Sequence, residues 1–396
     1  LASQFNALSP PPKGTPAYSE QSVIPNAALK PEQSHSVEGG FDVRFLDNRI
    51  GLDFTYYRTR TENQILQVPL TLTTGYSARI INAGLIENKG MEIMLNVTPV
   101  RTSNFDWTMN INFSRNRSVV KELYKDPESG QEIRNYVMAS RYVTVEARIG
   151  EQMGDMYGIG FLRVSDNPND EYYDPTGQYV GQIIYNNQGK PLPTPTTIKL
   201  GNYNPDWLAG INNTLTYKGL SFGILFDIRQ GGKVYSHTQT VGREAGMIVE
   251  TLEGRADGYD LSLPGNGVIG PGVVAIRDGE GNVTGFEDNA TKLSAREWHT
   301  SLTLGRRLIE PMMYDASFVK LREIKFGYTL PNKLMGSLPF RDVRLSVVGR
   351  NLALWTDVPH IDPETASNSG GTIIPGVESV AIPSARSYGF NLSFKL

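Results

Sequence analysis

Cysteine is absent from all 396 residues. That excludes disulfides and thiolate metal sites. Long apolar runs are absent too. No stretch reaches the roughly 18 consecutive apolar residues of a membrane-crossing helix, and mean hydropathy is −0.31, so a helical membrane protein is excluded. Histidine is scarce: His35, His237, His299 and His360 stand far apart with no ligand spacing, and neither a metal site nor a cofactor is expected. Neither sign of charge prevails. The net charge is −3 with no basic stripe, which makes nucleic acid an unexpected partner. No paired-carboxylate constellation marks a catalytic centre, and no enzymatic activity is expected. The opening LASQFNALSPPP lacks the basic and apolar segments of a secretory signal.

What the sequence does have is alternation. Its last stretch, Ser384 to Leu396, sets Tyr388, Phe390, Leu392, Phe394 and Leu396 against Gly389, Asn391, Ser393 and Lys395. Successive side chains of a strand point to opposite faces, so one face here is wholly apolar. Phe105 to Arg117 repeats the pattern, with Phe105, Trp107, Met109, Ile111 and Phe113 opposing Asp106, Thr108, Asn110, Asn112 and Ser114. Ile50 to Tyr57 and Leu220 to Arg229 repeat it again. About eleven strands are expected, near 34–46, 49–61, 89–100, 105–117, 141–149, 155–164, 207–217, 220–229, 314–330, 341–354 and 384–396. Many run roughly 10–13 residues, a length suited to a tilted membrane strand.

Connections alternate in length. The short ones are Asp47-Asn48, Thr102–Asn104, Gly150–Gly154, Lys218-Gly219 and Pro331–Phe340. The long ones cover about 62–88, 118–140, 165–205, 230–312 and 355–383, with helix expected around Leu293 to Leu308. Short turns on one side and long loops on the other are the pattern of an outer-membrane barrel. Trp107, Trp207, Tyr217 and Trp355 fall near strand ends, as interfacial girdles require. The expected fold class is all-β, a transmembrane antiparallel β-barrel. With the C-terminus periplasmic, an odd strand number puts the Pro-rich residues 1–33 outside the cell as an extracellular loop segment. It also makes residues 34–396 the C-terminal part of a larger barrel, because each unpaired backbone group at a bare sheet edge costs several kcal/mol in lipid.

Specific stretches carry a resemblance. ENKGMEIMLN (Glu87–Asn96), GEQMGDMYGI (Gly150–Ile159), NYNPDWLAGINNTLTYKGLSF (Asn202–Phe222), ASFVKLREIKFGYTLP (Ala316–Pro331), GRNLALWT (Gly349–Thr356) and PSARSYGFNLSFKL (Pro383–Leu396), in this order and spacing, resemble the C-terminal barrel half of SusC/RagA-type TonB-dependent transporters of Bacteroidetes. The chain departs from the family in ending on Leu396 rather than Phe. The resemblance implies half of a 22-stranded barrel in the outer membrane of a Gram-negative bacterium, the plug domain and the other barrel half lying outside this sequence. It implies active import of oligosaccharides or oligopeptides, driven by TonB and lidded by a SusD-like surface lipoprotein. The lipid bilayer and lipopolysaccharide surround such a barrel, and a dimer of transporter–lid pairs is an assembly it allows. A passive porin or adhesin barrel and a soluble extracellular β-sandwich binding module are the alternatives that the strand pattern leaves open.

Candidate binding residues are few. Tyr172, Tyr173 and Tyr179 lie in a long loop among acidic and Asn residues, and aromatic platforms with amide partners suit sugar rings. The Gly-x-Gly-x-x-Gly run at Gly265–Gly270 is followed by Pro271 and sits in no strand–helix unit, so it reads as a loop. Asp278–Asn282 has a calcium-loop flavour but lacks the sixth-position glycine and has Asn289 where a bidentate Glu would stand. Asp166, Asn167, Asn169, Asp170 and Glu171 form a second oxygen-rich turn. Both read as solvated turns.

Overall fold

The computed structural model describes residues 5–7, 18–20, 22–26, 29–69, 75–76, 78–125, 130, 132–256, 260–331, 333, 341–365, 367–369 and 372–395. Nine long strands organise them: β1 (Gln33–Phe45), β2 (Ile50–Pro69), β3 (Ala78–Arg101), β4 (Phe105–Glu122), β5 (Trp207–Tyr217), β6 (Leu220–Gln230), β7 (Phe318–Thr329), β8 (Arg341–Thr356) and β9 (Ser387–Lys395). Contacts group the chain into two compact units. One is built on residues up to Pro99 with Met109–Met138 and Glu146–Met153. The other comprises Val100–Thr108, Ala139–Val145 and Gly154–Leu396.

In the first unit β1 to β4 form an antiparallel meander in sequence order. The turn between β1 and β2 is tight because Leu46, Asp47 and Asn48 all adopt positive φ, 52°, 53° and 62°, a backbone that Asp and Asn tolerate best among residues with a Cβ. Phe41 lies opposite Phe54, with ring centroids 5.5 Å apart. β2 pairs with β3 from Ile50↔Val97 to Pro69↔Ala78. Midway along that ladder, opposite Arg60, Glu87 is buried. Its carboxylate accepts from Arg58 Nε at 2.7 Å and pairs with Arg60, Lys89 and Lys121 at 3.4, 3.2 and 3.7 Å.

The second unit carries the other meander, β5-β6-β7-β8-β9. Lys218 and Gly219, at φ 46° and 89°, close the β5–β6 hairpin with Tyr217 opposite Leu220. Positive φ at both central residues is the type I′ requirement, and it matches the right-handed twist of the strands. Register aligns side chains into rows across all five strands. Leu215, Phe222, Phe326, Val347 and Phe390 make one row, and Thr216, Ser221, Gly327, Ser346 and Asn391 the next, on the opposite face. The apolar row is not covered: Val347 is 57% exposed and Phe390 85%. β1 repeats this, with Val37, Phe41 and Phe45 exposed. A sheet in water would bury such a face.

Several expectations are corrected. Among the described residues the long strands number nine rather than eleven. Arg141–Ile149 and Asp155–Val164 do not form a wall hairpin. Val143–Arg148 is short, with Val143, Val145 and Ala147 buried on one face and Glu146 on the other. Asp155–Gly158 is fully buried and pairs with Ile198–Asn202. Strands covered on both faces belong to a folded excursion, not to a wall with one side in lipid. The 62–88 connection shrinks to 70–77, because backbone pairing continues from Gln64↔Ala83 to Pro69↔Ala78. The 118–140 connection loses its ends to β4 and to a strand at Asn135–Arg141. The 165–205, 230–312 and 355–383 stretches contain short strands of their own, and 230–312 also holds α1 (His237–Ala245) and α2 (Ala295–Ser301). The helix expected over Leu293 to Leu308 is confined to α2. A Ser294/Glu297 capping box starts it, and positive φ at Leu304, Gly305 and Arg306 forbids its continuation. The strand expected at 314–330 is split into Met313–Asp315, which pairs with Lys233–Ser236, and β7. Within 1–33, Phe5–Ala7 pairs with Tyr18–Glu20 and Val23–Ile24 runs parallel to Ala78–Arg79. Leu396 and most of Pro331–Phe340 lie outside the described residues.

Candidate functional site

In the second unit, the chain between strands on the side away from the Lys218-Gly219 turn folds into small cores of its own. Val164, Ile184, Val273 and Phe286 make one, and Tyr172 and Tyr179 pack against it. The Tyr172 hydroxyl accepts from Arg277 Nη2 at 3.0 Å, and that guanidinium lies 5.5 Å from the Tyr172 ring centroid while pairing with Glu171 at 2.8 Å. Burial, reinforced by Glu171, pushes the Tyr172 phenol above its usual value. Tyr179 is tilted against Phe286, with centroids 6.2 Å apart. Tyr173, half-buried, stands outside that packing and bridges Ser165 through its backbone. Two of the three tyrosines therefore spend ring surface on the fold, and the three do not form one flat platform.

The oxygen-rich turns are held by their own side chains. Asp170 accepts from Tyr172 N at 2.9 Å, and Asn167 from Asn169 N at 3.1 Å. Asp174 accepts from Tyr179 N, Thr176 N and Thr176 Oγ1 at 2.8, 2.9 and 2.7 Å. Those hydrogen bonds, the Tyr179 amide first, keep its carboxyl below the usual range. Asp278 likewise accepts from the amides of Glu280 and Asn282 within its own hairpin turn. Among the described residues no three His, Cys, Asp or Glu side chains group as a metal site.

A cavity of about 630 Å³ opens in the 231–317 excursion, lined chiefly by Arg243, Arg255, Arg296, Glu244, Gly246 and His299. Both helices contribute because both are firmly capped. Ser236 Oγ accepts from Gln239 N at the start of α1, and Gly246 closes it at φ 67°. His299 on α2 is buried. Its Nδ1 lies 3.0 Å from Arg243 Nη1, and its Nε2 lies 3.3 Å from the Glu253 carbonyl. A guanidinium can only donate and a carbonyl can only accept. His299 is therefore the neutral Nε2–H tautomer, consistent with burial lowering its pKa from 6.5.

Two further features bear on the site, a motif that sequence reasoning passed over and a network that only the fold reveals. Gly219-Leu220-Ser221-Phe222-Gly223 has the Gly-x-Ser-x-Gly pattern of a hydrolase nucleophile, but it spans the β5–β6 hairpin rather than a strand-to-helix elbow. Ser221 Oγ accepts from Arg344 Nη2 at 2.7 Å, and no histidine is among its hydrogen-bond partners. The second feature is an ion network built around buried Lys320 and Asp362, with Arg322, Asp227 and Glu364 at its partly exposed rim. Arg322 is an extra residue in β7 against β6, where adjacent Leu225 and Phe226 pair with Glu323 and Leu321. The bulge sets it beside Lys320, itself paired in register with Asp227. Arg322 donates to Asp227 Oδ2 from Nε and Nη2 at 2.9 and 2.7 Å, and pairs with Glu364. Lys320, 3% exposed, holds both Asp362 oxygens at 2.6 and 2.8 Å and also reaches Glu364. The 357–365 segment is thereby bolted to the strands. Burial opposes ionisation of Asp362 and Glu364. Lys320 at Asp362, and Arg322 then Lys320 at Glu364, outweigh it and hold both carboxyls below 3.8 and 4.5, their usual values. Carboxyls lowered in the folded state stabilise fully above those usual values and lose that contribution as pH falls through the folded ones. The protection of 357–365 against hydrogen exchange, taken relative to the intrinsic exchange rate at each pH, should be flat from about pH 8 to 5 and fall below about pH 4. A loss of protection confined to the neutral range would sink the assignment.

Long antiparallel strands with an uncovered apolar face, a polar face opposite, and short turns set against folded excursions define the wall of a transmembrane β-barrel. The TonB dependent receptor-like, beta-barrel family model matches residues 3–262, and the chain belongs to that family. TonB-dependent receptor P3 of Formosa agariphila is 28% identical over 388 residues, covering 93% of this chain and 35% of that protein. TonB-dependent receptor SusC of Bacteroides thetaiotaomicron is 22% identical over 386 residues, covering 93% and 32%. The chain thus spans about a third of the length of these relatives. The solved RagAB peptide transporter superposes with a TM-score of 0.67 at 17% identity, over 99% of this chain and 38% of that one. The likeness to SusC/RagA-type transporters drawn from the sequence holds in both comparisons.

Proposed function

We propose that the chain forms part of a TonB-dependent importer in the outer membrane of a Gram-negative bacterium. The observation that carries this reading is the uncovered apolar face running through β6 to β9, on a chain of the TonB-dependent receptor family. Lipid is the medium in which such a face is stable. The polar face opposite it and the folded excursions suit the passage and capture of a solute. A plug domain and the remaining barrel strands complete the pore, and TonB supplies the pull. A SusD-like lipoprotein covers the outer mouth, and oligosaccharides or oligopeptides are the cargo, with Tyr172, Tyr173 and Tyr179 offered to it. Being named as transporters or receptors, the relatives favour import over covalent chemistry. Deletion of TonB, or of the SusD-like partner, is expected to abolish growth on the cognate nutrient. Growth that persists without TonB would favour a passive porin instead.

A further inference from the structure

The cavity between α1 and α2 gathers more positive than negative charge along its described lining. Arg243, Arg255 and Arg296 line it. Glu244 is the one acidic side chain among its described lining residues, and it is ion-paired with Arg306 at 2.8 Å. The nearby Glu297 carboxylate is taken up by Ser294 in the α2 capping box. His299 contributes no charge in its neutral tautomer, so three guanidiniums face one carboxylate among the described lining residues, with Glu250 and Glu253 close by. Like charges gathered in a partly enclosed space repel one another and draw in an anion.

Arg243 is half-buried and held, whereas Arg255 and Arg296 are exposed at the cavity mouth, open to a ligand. Arg243 is fixed by its hydrogen bond to His299. Arg255 lies so close to the end of α1 that a Cβ on Gly246 would meet its Nη2 at 2.7 Å. The left-handed glycine therefore both ends the helix and makes room for the guanidinium. Arg296 projects from the first turn of α2, whose start the capping box fixes. Guanidiniums are the groups best shaped to bind planar or tetrahedral oxyanions through paired N–H donors. A volume of about 630 Å³ falls within the roughly 300–1,000 Å³ of small-molecule sites.

We propose that this cavity binds the oxyanion of a small organic ligand, a carboxylate or a sulfate, through Arg255 and Arg296, with Arg243 completing the positive wall. The inference rests on the import reading and narrows its cargo to anionic molecules. Its test needs no energy coupling. Calorimetric titration of the purified, detergent-solubilised protein with sodium sulfate, D-glucuronate and D-glucose should show binding of one or both anions and none of glucose. Preference for sulfate would indicate sulfate esters, and preference for glucuronate would indicate uronic acids or peptide carboxylates. The double variant Arg255→Gln/Arg296→Gln should weaken anion binding at least about tenfold. Gly246→Ala, which leaves every charge in place but crowds Arg255, should weaken it several-fold. Unchanged affinity in the double variant, or no binding of either anion by folded protein, overturns the site. Anion binding that persists in a protein whose uptake is independent of TonB would instead leave the site standing and overturn the importer.

Discussion

Replacing Lys320 with methionine is expected to release the 357–365 segment, at a local cost of roughly 3–5 kcal/mol. The magnitude follows from what is left behind. Lys320 and Asp362 are both buried, and Lys320 Nζ, which contacts both Asp362 oxygens, is the foremost group keeping Asp362 charged, with the Glu364 amide beside it. Removing the cation strands a carboxylate away from water, which costs more than the pair contributes when intact. Glu364 retains Arg322, so the damage should centre on Asp362. Limited proteolysis reads it directly, with new cleavage expected within 357–365 and the strands left intact. The double variant Lys320→Met/Asp362→Leu should recover much of the protection, because it removes the stranded charge as well as its partner. If the single variant is as resistant as the unsubstituted protein, the network does not bind the segment.

Val347→Arg is expected to impair membrane assembly severely, whereas Asn391→Arg should be tolerated. Val347 and Asn391 occupy neighbouring rows on opposite faces of one sheet. A charge on the lipid face of a barrel costs about 2–4 kcal/mol near the midplane. Asn391 stands with Thr216, Ser221 and Ser346 in a polar row, where an arginine can stay hydrated. The measurement is the fraction of heat-modifiable, folded protein in outer-membrane preparations. Equal loss in both variants would mean that the faces are not divided between lipid and water.

Much of the wall was legible because its chemistry is local. Strict alternation in Ser384–Leu396, Phe105–Arg117 and Leu220–Arg229 reports two different solvents on the two faces of a strand, and nothing distant is needed to read it. The strand total was not legible in the same way. Val143, Val145 and Ala147 alternate as regularly as a wall strand, yet Glu146 between them is also buried, and only tertiary packing covers both faces. The tyrosines illustrate a related limit. Tyr172 reads as a free platform until Arg277, over a hundred residues away, is seen against its ring. The cavity is less legible still, since Arg243, Arg255 and Arg296 sit on three separate segments and become neighbours only when α1 and α2 meet. Arg322 left no signal beyond its charge, because a one-residue bulge changes register without changing composition.

The length of β3 has a consequence for reach. It runs for 24 residues, whereas about 9–11 tilted residues cross a bilayer. At about 3.3 Å per residue, the remaining dozen or so, tilted by about 45°, raise the tip roughly 30 Å beyond the hydrocarbon. Pairing with β2 continues through that projection, and the four cations around Glu87 brace it at mid-height. The paired stretch is thus a stiff mast rather than a tether, and its last described pair, Pro69 and Ala78, stands at a set height above the lipid headgroups.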